Sequence, residues 1–306
     1  MVFKIGSKMF VADHFNPELT INSGQMFLWQ RKRDAWYGVH GDHILKLSIE
    51  NQPNDQGSPL RYESFPEDRG WEKRLFRMDD NTDEILKSIS FDPLVRYSIM
   101  RFRGLRVMRQ DPIQCMFSFL CASNINIQRI RKILFNLCRQ FGKKMAVNGD
   151  QFFTFPAPTD LCDAKISQLV TCGTGYRAKY IKMLATKIRN KEIIPEELTQ
   201  MSYEDAKLSL LKVHGIGDKT ADCILLFSLE KLEAFPIDTW IARILSHQYD
   251  LPASDEKREI ESQKHHLSHH QYQYLSNWMR TYFGIYAGYA QQYLYYYSRD
   301  IAGKKW

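Results

Sequence analysis

The chain has 306 residues, is 44% hydrophobic and 13% aromatic, and carries a formal net charge of +7. That composition supports a substantial core and excludes a disordered chain, while the positive balance favours a polyanionic partner. No apolar run reaches membrane-spanning length, and Met1-Val2-Phe3-Lys4 opens no secretory signal, so a secreted or membrane-embedded protein is not expected.

In chain order, the first hundred residues read as β-rich, with strands over 26–31, 35–40 and 44–49. Leu45, Leu47 and Ile49 alternate with Lys46, Ser48 and Glu50, the period of a half-buried strand. Gly41-Asp42 is a two-residue hairpin signal. Upstream of it stands Ser23-Gly24-Gln25-Met26-Phe27-Leu28-Trp29. Residues 51–70, rich in Pro, Gly, Asn and Asp, predict a loop or ragged hairpin tip. From about Asp79 the pattern is helical, and Asp92-Pro93 and Asp111-Pro112 each read as an N-cap followed by an N1 proline.

Residues 111–141 predict a helix pair with a polar joint that contains Asn124 and Arg129. By themselves these two are a turn residue and a surface charge. Gly173-Thr174-Gly175-Tyr176-Arg177 puts an aromatic and a cation at the head of a basic helix. That arrangement suits a wedge that extrudes a base and a cation that reads its widowed partner. Ser202 then caps a short helix to Val213, and Gly215-Ile216-Gly217 makes a tight turn into a second helix from Asp218. Helix, Gly-h-Gly turn, helix is a helix-hairpin-helix, whose bare amides suit a phosphate. Lys219 lies in the first turn of the second helix, where the macrodipole and partial burial disfavour an ammonium and leave a nucleophilic amine. Cys223 is one turn on, on the same face. Asp238, after Pro236, predicts a helix N-cap held ionised by backbone amides. His265, His266, His269 and His270 have pairwise helical spacing, but no carboxylate or cysteine completes a metal set, so a solvated face is expected. Tyr282, Tyr286, Tyr289 and Tyr293 form an aromatic stripe expected in the core, with Gln291 and Tyr295 on another face.

Each feature alone has an ordinary structural reading: a DNA clamp, a solvated lysine, a plain cap. Together they resemble the 8-oxoguanine DNA glycosylase/AP lyase branch of the helix-hairpin-helix (HhH-GPD) DNA glycosylases, and the resemblance runs from about residue 20 to 298. It implies Lys219 as nucleophile and Asp238 as the stabiliser of an oxocarbenium-like charge. It implies a lesion pocket of Gly24, whose carbonyl accepts the N7 hydrogen found on 8-oxoguanine and not on guanine, with Cys223, Gln291 and Tyr295. It also implies an opposite-base and wedge set of Asn124, Arg129, Tyr176 and Arg177, and phosphate contacts at Gly215 and Gly217. Phenylalanine is usual where Tyr295 stands; Trp240 and Ser298 replace the family's supporting histidine and aspartate.

The expected fold is α+β. An antiparallel β-sheet domain of the TBP-like kind covers residues 1–105, and a mostly helical HhH-GPD domain covers 106–306, with the hairpin near 202–229. The expected activity is excision of 8-oxoguanine from double-stranded DNA, preferably opposite cytosine, with a weaker β-elimination step. No cofactor is expected, although a hairpin-bound cation bridging to phosphate fits the resemblance. A monomer is expected. The six cysteines form no C-x-x-C pair and no iron–sulfur loop, which predicts reduced thiols in a cytoplasmic, nucleoid or nuclear protein. The rivals are a related glycosylase for another damaged base and a non-catalytic DNA-binding module.

Overall fold

The computed structural model describes residues 7–11, 15–49, 59–123, 125–249 and 267–303. Asn124, His265, His266, Glu50 and residues 51–58 of the expected loop lie outside them. Five strands form one antiparallel sheet: β1 (Ser7–Val11), β2 (Trp29–Lys32), β3 (Ala35–His40), β4 (His43–Ile49) and β5 (Pro59–Phe65), in the order β1-β5-β4-β3-β2. The expected hairpin closes on Gly41-Asp42, with His40 opposite His43 and Gly41 at φ +57°. Trp29 faces Gly38 across β2 and β3, and a Cβ at Gly38 would lie 2.1 Å from the indole, so only glycine lets the ring lie on the sheet.

Two sequence expectations are corrected here. Residues 26–28 precede β2 rather than belonging to it; they run under the helical layer, where Phe27 meets Phe119 edge-on at 5.4 Å. The loop expected over 51–70 is a strand from Pro59, because Leu47 pairs with Tyr62 and both join one buried cluster. Pairing on both sides overrides a turn-rich composition. The alternation expected along β4 holds at Leu45 and Leu47, which are buried beside half-buried Lys46 and Ser48. Leu45 and Leu47 pack with Trp36 and Trp71 on one side, while Val39 and Ile44 enter the main core on the other, and Ile49 at the strand end is exposed.

The helices among the described residues are α1 (Pro17–Ile21), α2 (Trp71–Arg74), α3 (Thr82–Ile89), α4 (Pro93–Arg101), α5 (Pro112–Cys121) and α6 (Ile127–Phe141). A hairpin of β6 (Lys144–Val147) and β7 (Asp150–Phe153) interrupts the run; it was not expected. Then come α7 (Pro158–Asp163), α8 (Ile166–Leu169), α9 (Arg177–Arg189), α10 (Pro195–Gln200) and α11 (Tyr203–Leu211). The last are α12 (Asp218–Ser228), α13 (Thr239–Gln248), α14 (His269–Phe283) and α15 (Ala287–Ile301). None of them is long and apolar enough to cross a membrane.

The expected caps form. Asp92 and Asp111 accept from the amides of Val95 (2.8 Å) and Gln114 (2.7 Å), and Ser202 accepts from that of Asp205 (3.1 Å). Helix α12 is the central strut: Ala221, Ile224 and Leu225 are wholly buried, and it packs on α5, α11 and α14. The aromatic stripe is not one helix. Gly284, at φ +70°, ends α14, and a short 3-10 turn leads to α15. Tyr289 and Tyr293 are core, whereas Tyr282 is 39% exposed and stacks on Trp278.

Candidate active site

The hairpin between α11 and α12 is held by its own amides, with Val213 donating to Leu210 and Ile216 to Val213, both at 3.0 Å. Its two glycines serve different ends. Gly215 has φ +91°, and a Cβ there would come within 2.8 Å of the Tyr180 ring. Gly217 has an ordinary φ of −97° and open space where a Cβ would go, so it is the bare backbone of the pair. The carbonyls of Val213 and Gly217 accept the Ile216 and Ala221 amides. No group of three His, Cys, Asp or Glu suited to a metal occurs among the described residues. The carbonyls of the turn are backbone oxygens that the cation expected there could use.

Lys219 is the second residue of α12 and partly exposed, with Nζ 5.2 Å from the Phe119 ring centroid. Phe119 in turn contacts Phe27, so one ring separates the amine from the stretch that contains Gly24. Cys223, one turn further, is buried; burial pushes its thiol up to about 11 against the opposing pull of Lys219.

Asp238 caps α13 as expected, with Oδ1 accepting from the amides of Trp240 and Ile241, each at 3.0 Å. Its ionisation differs from the expectation. Burial raises the carboxyl above the usual aspartate range, and the two amides, Lys219 and Arg299 offset this only in part. The desolvated carboxylate and Lys219 therefore sit within each other's field, an arrangement that could oppose a cation developing beside the lysine.

Gln291 is 5% exposed; its Nε2 donates to the Pro236 carbonyl at 3.0 Å, and its Oε1 is buried with no partner. An acceptor buried without a donor costs about 1–3 kcal/mol. A ligand edge bearing N–H groups would satisfy it. The next residue, Gln292, donates to the Ser23 carbonyl at 2.8 Å, and Gln110 donates to the Gln25 carbonyl at 2.8 Å. Gly24, at φ +79°, is thus pinned on both sides and brought to the start of α15. Tyr295 lies one turn beyond Gln291. Burial raises its phenol, and the Asp238 charge adds to that effect. Lysine, thiol, carboxylate, amide, phenol and glycine all converge from four separate segments.

The two substituted positions still touch, through a Ser298 hydroxyl that donates to the Trp240 carbonyl at 3.3 Å. Arg299 is a neighbour of this corner that sequence reasoning missed. Its guanidinium lies 5.8 Å from the Trp240 ring and 5.9 Å from the Tyr295 ring, with Nη1 3.5 Å from the Tyr295 hydroxyl. The one sequence signal at this corner was the loss of the usual histidine and aspartate at Trp240 and Ser298.

Of the wedge set, Tyr176 is 59% exposed and Arg177 is buried, its guanidinium 4.5 Å from the Tyr176 centroid and donating to the Ser123 carbonyl. The Arg177 Nε is buried without a partner. Gly173 (φ +92°) and Gly175 (φ +59°) set up this junction. The wedge therefore adjoins the segment leading to Asn124, which is itself outside the described residues. Arg129 is exposed in the first turn of α6, where Asn126 caps its amide at 2.9 Å. Of the expected histidine face, His269 pairs with Asp218 through Nδ1 at 2.5 Å.

Residues 9–116 match the family described as 8-oxoguanine DNA glycosylase, N-terminal domain. Residues 117–267 match the HhH-GPD superfamily base excision DNA repair protein family. A probable N-glycosylase/DNA lyase of Methanothermobacter thermautotrophicus is 31% identical over 262 residues, covering 76% of this chain and 82% of that protein. The N-glycosylase/DNA lyase of Saccharomyces cerevisiae is 29% identical over 262 residues, covering 75% of this chain and 66% of the yeast protein. Among solved structures, the Clostridium acetobutylicum 8-oxoguanine glycosylase/lyase, in complex with double-stranded DNA containing cytosine opposite 8-oxoguanine, superposes with a TM-score of 0.82. That pair is 27% identical, over 99% of this chain and 100% of the other.

Proposed function

Since the chain belongs to the HhH-GPD superfamily of base excision DNA repair proteins and carries an 8-oxoguanine DNA glycosylase N-terminal domain, we propose that its site performs that chemistry through Lys219. The protein is a bifunctional DNA glycosylase and AP lyase that excises 8-oxoguanine from duplex DNA, preferentially opposite cytosine. The observation that supports the residue assignment is that Lys219 lies within the field of the desolvated Asp238 carboxylate, while Gln291, with an unmatched buried oxygen, bonds the Pro236 carbonyl two residues before Asp238.

Flipping places the base between Gly24 and Gln291, with Tyr295 as the stacking face. The N7–H of 8-oxoguanine donates to the Gly24 carbonyl, and the N–H groups of its pyrimidine edge meet the Gln291 oxygen. Guanine would set its N7 lone pair against that carbonyl and leave both unsatisfied. Lys219 Nζ forms a bond to C1′ as the bond from C1′ to the base breaks, and the departing base keeps that electron pair and takes up a proton. Asp238 opposes the positive charge that builds on the sugar. Loss of the amine proton opens the sugar ring to a Schiff base. Removal of a C2′ proton then expels the 3′ phosphate by β-elimination. Tyr176 fills or pries the stack, and Arg129 and Arg177 donate to the N3 and O2 acceptors of the widowed cytosine, with Asn124 beside them. Gly215 and Gly217 offer amides to a backbone phosphate. This work is done where the DNA is, in the cytoplasm, nucleoid or nucleus.

Single-turnover base release from duplexes differing only in the lesion and the opposite base tests this reading. 8-Oxoguanine opposite cytosine should be released fastest, at least about tenfold faster than opposite adenine, as expected for a base contact worth about 1–3 kcal/mol. Arg129→Ala should reduce that ratio chiefly by slowing the cytosine duplex. Faster release of an alkylated purine or an oxidised pyrimidine would assign a different lesion. Binding without release of any base would leave a non-catalytic module.

A further inference from the structure

The segment that delivers Asp238 has no regular structure of its own between the end of α12 and the start of α13. Something else must fix where its backbone runs relative to the helix that carries Lys219. Tyr272, on α14 and 5% exposed, touches both: its hydroxyl donates to Asp222 Oδ2 at 2.7 Å and accepts from the Ile237 amide at 3.1 Å. Asp222 is wholly buried on α12, three residues from Lys219 and next to Cys223, while Ile237 immediately precedes Asp238.

From this geometry we propose that Tyr272 is a positioning residue, whose one hydroxyl sets the register of the Asp238 segment against the nucleophile helix. The proposal rests on the function inferred above.

The surrounding bonds say why a structural role alone is an insufficient account. Asp222 also accepts from the Tyr203 hydroxyl at 2.6 Å, from Lys207 Nζ at 3.0 Å and from the Ser276 hydroxyl at 3.4 Å. A buried carboxylate–ammonium pair is weak support for stability, since apolar packing of similar volume does as well or better, and such a pair is most readily understood where it fixes an arrangement. Four donors on one carboxylate hold it in one orientation. Two of them, Tyr203 and Lys207, come from α11 and tie the hairpin together. The other two, Tyr272 and Ser276, come from α14 and reach onward to the Asp238 segment. Ser276 shares its single hydroxyl proton between Asp222 and the Phe235 carbonyl, 3.3 Å away, so α14 touches that segment at alternate residues, 235 and 237. An error of about 1 Å between amine and carboxylate is enough to cost catalysis about a hundredfold.

Tyr203 supplies the control, because its hydroxyl bonds the same carboxylate but does not reach the Asp238 segment. Wild type, Tyr272→Phe and Tyr203→Phe are compared for melting temperature, duplex affinity and single-turnover release of 8-oxoguanine opposite cytosine. Tyr272→Phe should slow release at least about tenfold with duplex Kd within about twofold, and Tyr203→Phe should stay within about twofold in rate even if it melts earlier. If Tyr272→Phe does not fold, Ser276→Ala, which releases the segment at Phe235, is judged by the same standard. A Tyr272→Phe rate within about twofold of wild type overturns the proposal, as does an equal loss in both tyrosine variants. A wild type inert on 8-oxoguanine would instead sink the functional reading, and abasic-duplex trapping of the same variants would still compare their amine geometry.

Discussion

Asp238 carries opposite demands on its charge. The proposed role needs it ionised, and burial resists that: the folded protein holds its proton more tightly than the unfolded chain does. The sign follows from linkage. A raised carboxyl contributes its full stability in acid and loses it as pH rises through the folded-state value, so at neutral pH the ionised side chain costs stability. Asp238→Asn keeps a competent helix cap and removes the charge. The variant should melt above wild type at neutral pH, and the gap should close as pH falls into the carboxylate range. Its single-turnover base release should be slower by about a hundredfold or more, the scale of losing an oriented charge or dipole. A lower melting temperature at neutral pH would mean that the amides and Lys219 outweigh burial. Wild-type base release, in turn, should fail in acid at a pH above the ordinary aspartate range.

Among the elements, the hairpin and the capped helices were legible because their signals are local. Ser202, Asp111 and Asp238 each satisfy an amide within three residues, and Gly215 supplies a conformation that other residues rarely adopt. Strand β5 was hidden because its identity comes from pairing with β1 and β4, and Arg299 and Tyr272 were hidden because their partners lie on other elements. The two hairpin glycines now make distinct predictions. Gly215→Ala meets both a left-handed backbone and the Tyr180 ring, so it should lower stability by about 1–3 kcal/mol. Gly217→Ala meets neither, so its melting temperature should be unchanged, yet a methyl on the exposed turn should weaken duplex binding by about tenfold, roughly 1.4 kcal/mol. Thermal melts and duplex titrations separate the two, and unaltered binding in a well-folded Gly217→Ala would remove the hairpin from the DNA contact.

Across the whole molecule, the site exists only because distant segments are bonded into one frame. Ser23 is held by Gln292, Gln25 by Gln110, Phe27 rests on Phe119, and Phe119 lies beneath Lys219. Sequence motifs named most of these stretches, but only the fold shows that the residue before Gly24 and the residue after Gln291 are bonded to each other. The most direct test of the account is borohydride reduction of the complex with an 8-oxoguanine·cytosine duplex, followed by peptide mapping of the cross-link. The sugar should be found on Lys219, with Lys219→Gln forming no adduct and releasing no base while binding the duplex within about tenfold of wild type, roughly 1.4 kcal/mol. An adduct on another amine, or full base release by Lys219→Gln, would contradict it.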